Sequence, residues 1–393
     1  MGPKRIAYVD HALQLGGAQK SLLELVARLD RRRFSPVLLC AEGAEWLDRP
    51  ELEGVEQVPV FEASPLLEQR RDQLHPSVLR SRGQLLGGLT PVLRLRRALR
   101  AVKADLVHTN TLKAHFLGGA AGRLSGLPVL WHVRDILDPG PARTWLLRAS
   151  KLLRPQVIAI SQAVAAQFAS QNVPVELIYN GIPLDHFTPG QPDPSLRRGL
   201  QLSPEDEVLT IVGRLTPWKG HRTLLEALAI LSAQRPQVRL LVVGEVAFWE
   251  ASYGEELEHL AEDLGIADRV SWLGFREDVP QILRLCDLFV LPSVDEPFGR
   301  VLIEAMAVGK AVVATRSGGA PEVVLDGETG VLVPPGDEKG LAAALSDLLS
   351  DRTRAAAMGQ RGLERAQTVF DVNRVVEMVQ SLYDRTLAGS RTG

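Results

Sequence analysis

Along 393 residues, short apolar runs alternate with helical patterns, and the whole alternation occurs twice. Few folds accept such a pattern. In the first half it predicts strands at 5–9, 36–40, 106–109, 129–132, 157–160 and 177–179, with helices between them such as 19–29 and 91–102. Residues 183–194 then hold four prolines and Gly190 with little periodicity, and read as a linker. The second half predicts strands at 208–213, 239–244, 270–273, 288–291, 311–314 and 331–333. Its helices include 223–232, 255–264, 279–285, 301–308 and 340–349. Near-continuous apolar strands separated by helices imply parallel sheets covered on both faces. The expected fold is therefore α/β, with two Rossmann-like, doubly wound domains facing across a cleft. The expected boundaries are 1–185 and 186–371, with a last helix, 372–387, in the closing segment 372–393. Ligands of such sheets lie beyond the C-terminal ends of the strands.

Composition excludes several classes. A hydrophobic content of 45% and a charged content of 23% are ordinary for a globular protein. No run approaches the ~18 apolar residues of a membrane span. Residues 1–5 lead straight into Ile6–Val9 with no signal-peptide pattern, and Ile6 stands where myristoylation needs Ser or Thr. Cys40 and Cys286 sit far apart in apolar surroundings, as small buried hydrophobes would in a reducing cytoplasm. The net charge of −2 divides unevenly: residues 1–190 hold 24 Lys/Arg and 17 Asp/Glu (+7), and the remainder hold 21 and 30 (−9). Two halves of opposite sign suggest different partners.

The segment from Glu296 to Gly309 is the most informative chemically. Glu296 and Glu304 lie eight positions apart, the first in a loop and the second in the helix that follows. Between them Pro297 and Gly299 end a strand, so the free amides of a helix start lie between two carboxylates. Those amides suit an anion. The carboxylates would repel an anion and suit the hydroxyls of a sugar or ribose. Arg214 and Lys219, in the loop after strand 208–213, suit a diphosphate. His132 ends a strand of the first domain, and Gly16-Gly17 open a helix where backbone can approach a ligand. The full dinucleotide fingerprint is missing, which argues against NAD. Gly118-Gly119-Ala120-Ala121-Gly122 falls within a helical pattern, where helix packing explains it. Ser317-Gly318-Gly319 reads either as a ligand-admitting loop or as a tight turn. The sequence contains no Asp-x-Asp of the kind that holds a metal-bound diphosphate, and no zinc-like Cys/His spacing.

These pieces together resemble glycosyltransferase family 4, a retaining family with the GT-B fold. The matching residues are Val212-Gly213-Arg214-Leu215 with Lys219-Gly220, Pro292-Ser293 before Glu296-Pro297-Phe298-Gly299, the Glu-x7-Glu pair, and Gly318-Gly319-Ala320-Pro321-Glu322 with Gly327-Glu328-Thr329-Gly330. Gly16-Gly17-Ala18, His108-Thr109-Asn110, His132 and Tyr179-Asn180-Gly181 fit in the first domain. The resemblance implies that Arg214 and Lys219 bind the donor diphosphate, with Gly213 beside them. It implies that Glu296 holds the transferred sugar, Glu304 the ribose, and the amides of Phe298, Gly299, Arg300 and Val301 the sugar and phosphate. It places His132 near the sugar's 6-position and Gly16-Gly17 near the diphosphate. It also implies that the last helix crosses back to the first domain, and that UDP is the default nucleotide. No cofactor or metal is expected, since the nucleotide-sugar is a substrate.

On the acceptor side, residues 70–103 hold nine Lys/Arg against Asp72 alone, part of them on an amphipathic pattern. This suits an anionic, lipid-linked or glycolipid acceptor, or an anionic membrane surface approached from the cytoplasm. The alternative is a packed helix with solvated arginines. Nucleic acid is disfavoured because aromatics are sparse there and the second domain is acidic. Competing functional readings are an inverting transferase with His11 as base, a sugar-nucleotide epimerase, and a catalytically silent nucleotide-sugar-binding subunit.

Overall fold

The computed structural model describes residues 2–62, 82–246 and 251–389, with backbone alone at 82–89 and 251. Arg70, Arg71, Asp72 and Arg80 of the basic stretch lie outside the described residues. The chain divides into two compact units, Met1–Gly181 with Val372–Gly393, and Ile182–Asp371.

The first unit holds β1 (Lys4–Val9), β2 (Phe34–Ala41), β3 (Glu56–Phe61), β4 (Leu106–Thr109), β5 (Val129–Val133), β6 (Gln156–Ala159) and β7 (Val175–Leu177). They form one parallel sheet in the order β3-β2-β1-β4-β5-β6-β7. Ile6, Leu38, Leu106, Leu130 and Ile158 are buried in its core, and Val376, Val379 and Leu382 of the final helix, Val372–Gly389, join them. Each such side chain contributes roughly 1.5–3 kcal/mol by leaving water, so this helix is integral to the unit.

The second unit repeats the scheme with β8 (Glu207–Val212), β9 (Val238–Val243), β10 (Val270–Trp272), β11 (Leu288–Leu291), β12 (Ala311–Thr315) and β13 (Gly330–Val333). Their parallel order is β10-β9-β8-β11-β12-β13. All of β8 and β11 is buried, as doubly covered strands must be. In each sheet the order reverses between two central strands, β1 and β4 or β8 and β11, leaving a crevice at their C-terminal ends. Among the described residues no helix is long and apolar enough to cross a membrane.

Three local expectations are corrected. Strand β3 is absent from the expected strands because Glu56-Gln57 and Pro59 obscure its pattern; at the sheet edge a missing N–H at Pro59 faces no further strand. The helix expected to start at Pro91 instead runs Arg82–Ala101 with Pro91 inside it. A proline suits a first turn, and the sequence signal of an interior one looks the same. Strand β7 ends at Leu177, so Tyr179 and Asn180 belong to the loop beyond it. The glycines of helix Leu112–Leu124 are packing positions: a side chain at Gly119 would come within 2.9 Å of Trp131, and one at Gly122 within 2.7 Å of Val129.

Candidate functional site

In the second unit, β8 ends at Val212, and Gly213 and Arg214 lead into the single turn Pro217–Lys219. Arg214 lies at the surface and Lys219 is mostly buried. Strand β11 ends at Leu291 and leads through Pro292 and Ser293 to Glu296. Backbone joins the two loops: Val294 N–H donates to the Trp218 carbonyl at 2.7 Å. Gly220, with φ of 77°, lies so close to the second loop that a side chain would fall 2.0 Å from the Pro292 carbonyl oxygen. That approach brings together residues 77 apart in sequence, and Lys219 Nζ donates to Glu296 Oε2 at 2.6 Å. Lys219 Nζ also lies 4.3 Å from the ring centre of Trp218.

The turn at Ser317-Gly318-Gly319 braces this loop. Gly319 N–H donates to the Glu296 carbonyl at 2.7 Å, and a side chain on Gly318, at φ of 58°, would fall 2.2 Å from that same oxygen. These glycines form a tight turn. Beyond Glu296, Phe298 is buried against Phe370 with ring centres 5.8 Å apart, so its side chain is structural. Gly299, at φ of 86°, caps the helix Arg300–Ala307. A helix start of this kind presents backbone amides with no carbonyl one turn ahead, the group that suits an anion. Arg300 Nε donates to Glu304 Oε1 at 3.0 Å, and both side chains are mostly buried. Two cations and two carboxylates are thus paired around one helix start.

The first unit presents a different arrangement. Asp10, just past β1, is fully buried and accepts from Ala12 N–H at 2.9 Å, Gln19 Nε2 at 2.9 Å and Asn110 Nδ2 at 2.8 Å. Burial pushes its carboxyl upward, against those donors. Gln19 in turn accepts from Gly16 N–H at 3.1 Å, and in front of Gly17 there is open space. Arg134, just past β5, donates through Nε to Asn110 Oδ1 at 2.7 Å and through Nη1 to Asn180 Oδ1 at 2.6 Å. Its Nη2 reaches His132 Nδ1 at 3.2 Å. Asp10, Asn110, Arg134 and His132 therefore link the Gly16-Gly17 helix start to the β5 end. Burial, and then the charge of Arg134, hold His132 and His108 well below the ordinary imidazole range, so both are neutral. His11 bonds Thr111 Oγ1 at 2.6 Å, and burial pushes it down to about 3.

Asp10, Gln19, Arg134 and Tyr383 are not among the site residues that the sequence singles out. The first and third stand directly after parallel strands, and that placement was the available signal. Tyr383 lies on the last helix and carries no local signal at all. Among the described residues no group of three or more His, Cys, Asp or Glu is placed to hold a metal ion. Cys40 and Cys286 are buried free thiols, both pushed up to about 11 chiefly by burial.

Comparisons with known proteins point one way. Residues 15–186 match the family described as Glycosyltransferase Family 4, and residues 193–365 the one described as Glycosyl transferases group 1. HepE of Anabaena, solved with UDP and glucose, is 30% identical and superposes with a TM-score of 0.81, covering 96% of this chain and 99% of that one. The same protein has been solved with UDP-glucose. A D-inositol 3-phosphate glycosyltransferase of Mycobacterium sp. (strain JLS) is 38% identical over 196 residues, which is 49% of this chain and 43% of the relative. The match thus spans less than half the length of that curated relative. WaaG, a glycosyltransferase involved in lipopolysaccharide biosynthesis, shares the fold at 19% identity and a TM-score of 0.73.

Proposed function

The chain belongs to glycosyltransferase family 4, with the GT-B fold, and on that premise we propose that it is a retaining, metal-independent transferase that moves a sugar from a UDP-sugar to an acceptor hydroxyl. The observation that carries the proposal is the paired charge set at the β8/β11 crevice: Lys219 with Glu296, and Arg300 with Glu304. Each pair is neutral at rest and offers opposite functions when opened. A diphosphate draws Lys219 away together with Arg214, while the amides of Arg300 and Val301 supply further donors. Glu296 then accepts hydrogen bonds from hydroxyls of the transferred sugar, and Glu304 from the ribose.

In the transfer, the bond between the anomeric carbon and the diphosphate oxygen breaks, and the acceptor oxygen bonds the same face of that carbon. The acceptor's proton passes to the departing diphosphate. Lys219 and Arg214 stabilise the charge that develops on it, which is electrostatic preorganisation without a metal. His11 is poorly suited to act as base, because a group pushed down to about 3 has little affinity for a proton near neutrality. HepE bound to UDP-glucose supports the choice of UDP, and relatives named for inositol 3-phosphate support an anionic acceptor. The test is hydrolysis and transfer across UDP-, GDP- and ADP-glucose with and without EDTA, with the product anomer read by NMR. An inverted product, or activity lost to EDTA, would remove the mechanism.

The acceptor side extends to an anionic lipid surface. The helices Arg82–Ala101, Leu112–Leu124 and Pro141–Leu153 pack side by side and contain ten Lys/Arg and no Asp/Glu. They also expose Leu93 (55%), Leu124 (56%), Trp145 (41%) and Leu152 (78%). Cations interleaved with exposed apolar side chains suit a bilayer interface. One of the arginines, Arg94, is paired with Glu62 at 2.6 Å. The protein is expected to sediment with phosphatidylglycerol vesicles and not with phosphatidylcholine vesicles. Neutralising Arg96, Arg97, Arg100 and Arg148 is expected to abolish this, and a wild type that binds neither vesicle sinks the idea.

A further inference from the structure

Behind His132 runs a buried chain of polar groups that the transfer itself does not use. Tyr8 Oη lies 2.9 Å from Tyr383 Oη, and Tyr383 Oη lies 2.6 Å from His108 Nδ1. His108 Nε2 lies 3.2 Å from His132 Nδ1, the same atom that Arg134 Nη2 reaches at 3.2 Å. Tyr8, His108 and Tyr383 have no exposure at all, and His132 and Arg134 are buried too.

Each of these contacts could run in either direction except one. A guanidinium has donors only, so the contact with Arg134 requires a lone pair on His132 Nδ1. A neutral imidazole with a bare Nδ1 carries its proton on Nε2. His108 Nε2 faces that bare nitrogen and must therefore be the donor. His108 Nδ1 is then an acceptor and takes the Tyr383 hydroxyl proton, while the Tyr383 oxygen accepts from Tyr8. The reverse order would set an N–H of His132 against an N–H of Arg134. Burial and the arginine's charge keep both rings neutral, which removes the doubly protonated alternative. Among the described residues His132 Nε2 has no hydrogen-bond partner within the chain. His132 also lines a cavity of about 20 Å³, room for about one water, with Arg134, Asn180 and Ser21.

We propose that Arg134 is a positioning residue that locks His132 in the Nε2–H tautomer, with His108, Tyr383 and Tyr8 continuing the same direction of donation, so that His132 serves as a hydrogen-bond donor to an oxygen of the transferred sugar and never as a base. The proposal rests on the reading of His132 as a sugar contact, but the tautomer is a property of the protein alone and is measured without substrate. The last helix thereby acquires a polar role besides its apolar one, because Tyr383 supplies the proton that satisfies His108.

The test is ¹⁵N NMR of the full chain labelled at its eight histidines, assigned with His108→Gln and His132→Gln. In the wild type both rings are expected to show a protonated Nε2 and a bare Nδ1. A protonated Nδ1 on His132, or exchange-averaged shifts at its two nitrogens, overturns the proposal. Arg134→Met, which cannot donate, is expected to give averaged tautomers at both rings and to lower kcat/KM for UDP-glucose about two- to tenfold, the value of one ordinary hydrogen bond. Retention of a pure Nε2–H form in that variant also overturns it. Because Arg134 braces Asn110 and Asn180 and its loss endangers folding, Tyr383→Phe gives a second reading: His132 keeps its tautomer, held by Arg134, and His108 keeps the Nε2–H that faces the bare Nδ1 of His132. A change at His132 in Tyr383→Phe would place the lock elsewhere. Absence of transferase activity with these spectra intact would count against the proposed function and not against the lock.

Discussion

At the edge of the first sheet, neutral rings and amides are arranged around one arginine by hydrogen bonds of a single direction. At the edge of the second, two ion pairs hold the polar groups. The two sheets have the same central strand order, so the difference lies in the loops. A buried hydrogen-bond network is costly to rearrange, because each broken link leaves a desolvated group unpaired. An ion pair at a crevice mouth is exchangeable under the proposed function, in which an incoming diphosphate replaces the carboxylate as the cation's partner. The first unit therefore presents fixed geometry, and the second presents paired charge that the proposed ligand would redistribute.

Acid should separate the two units most strongly. His11 and His115 are pushed down to about 3 by burial, and His108 and His132 lie well below their ordinary value. The second unit has His221, pushed down to about 4. A folded-state pKa below the unfolded one means that the unfolded chain takes up the proton first. Stability is thus complete above about pH 6.5 and is lost as pH falls toward each folded value, by about 1.4 kcal/mol per unit for each histidine. Asp10, whose carboxyl is pushed upward, offsets part of this in the first unit. Hydrogen exchange between pH 7 and pH 5 should show protection lost first in residues 2–62 and 106–181. Equal loss in residues 207–371 would erase the contrast.

Next in size is the exchangeable pair. Lys219→Ala or Glu296→Ala is expected to lower kcat about 10²–10³-fold, the usual loss for one group that stabilises developing charge. Each leaves a mostly buried partner unpaired, so a fall in melting temperature is expected as well. A variant with normal kcat would place the diphosphate elsewhere.

Gly318→Ala probes the brace beneath that pair. At φ of 58°, with the added carbon 2.2 Å from the Glu296 carbonyl oxygen, it is expected to cost about 1–3 kcal/mol in denaturant unfolding and to raise KM for UDP-glucose. Unchanged KM would show that the Glu296 loop holds its place without the turn. Tyr383→Phe removes two buried hydrogen bonds, to Tyr8 and to His108, and is expected to cost about 1–3 kcal/mol of stability, read by the denaturation midpoint.

Most elements were legible from pattern alone because parallel strands buried on both faces are apolar throughout; β11 and the helix Val279–Leu285 fall where expected. Pattern failed where function and edge position override it. Glu56-Gln57-Val58-Pro59 reads as loop until a neighbouring strand is there to pair it, and Pro91 reads as a helix start until the preceding turns are seen to be helical. Strand β7 ends two residues earlier than expected, and Asn180 in the loop beyond it accepts from Arg134. The Glu-x7-Glu spacing draws attention to both carboxylates, but gives no sign that each meets a cation.

What the order of residues determined by itself was the repeated strand–helix alternation, the Gly-marked turns and the chemical types at the strand ends. These depend on neighbours within a few positions, where periodicity and backbone preference act. What only the tertiary structure decided was pairing across distance: Lys219 with Glu296 across 77 positions, and Tyr383 with His108 across 275. Such pairs form because strand ends and a returning helix bring groups together that share no local signal, and a donor-only partner, Lys219 in the first and Arg134 beside the second, fixes the direction of donation.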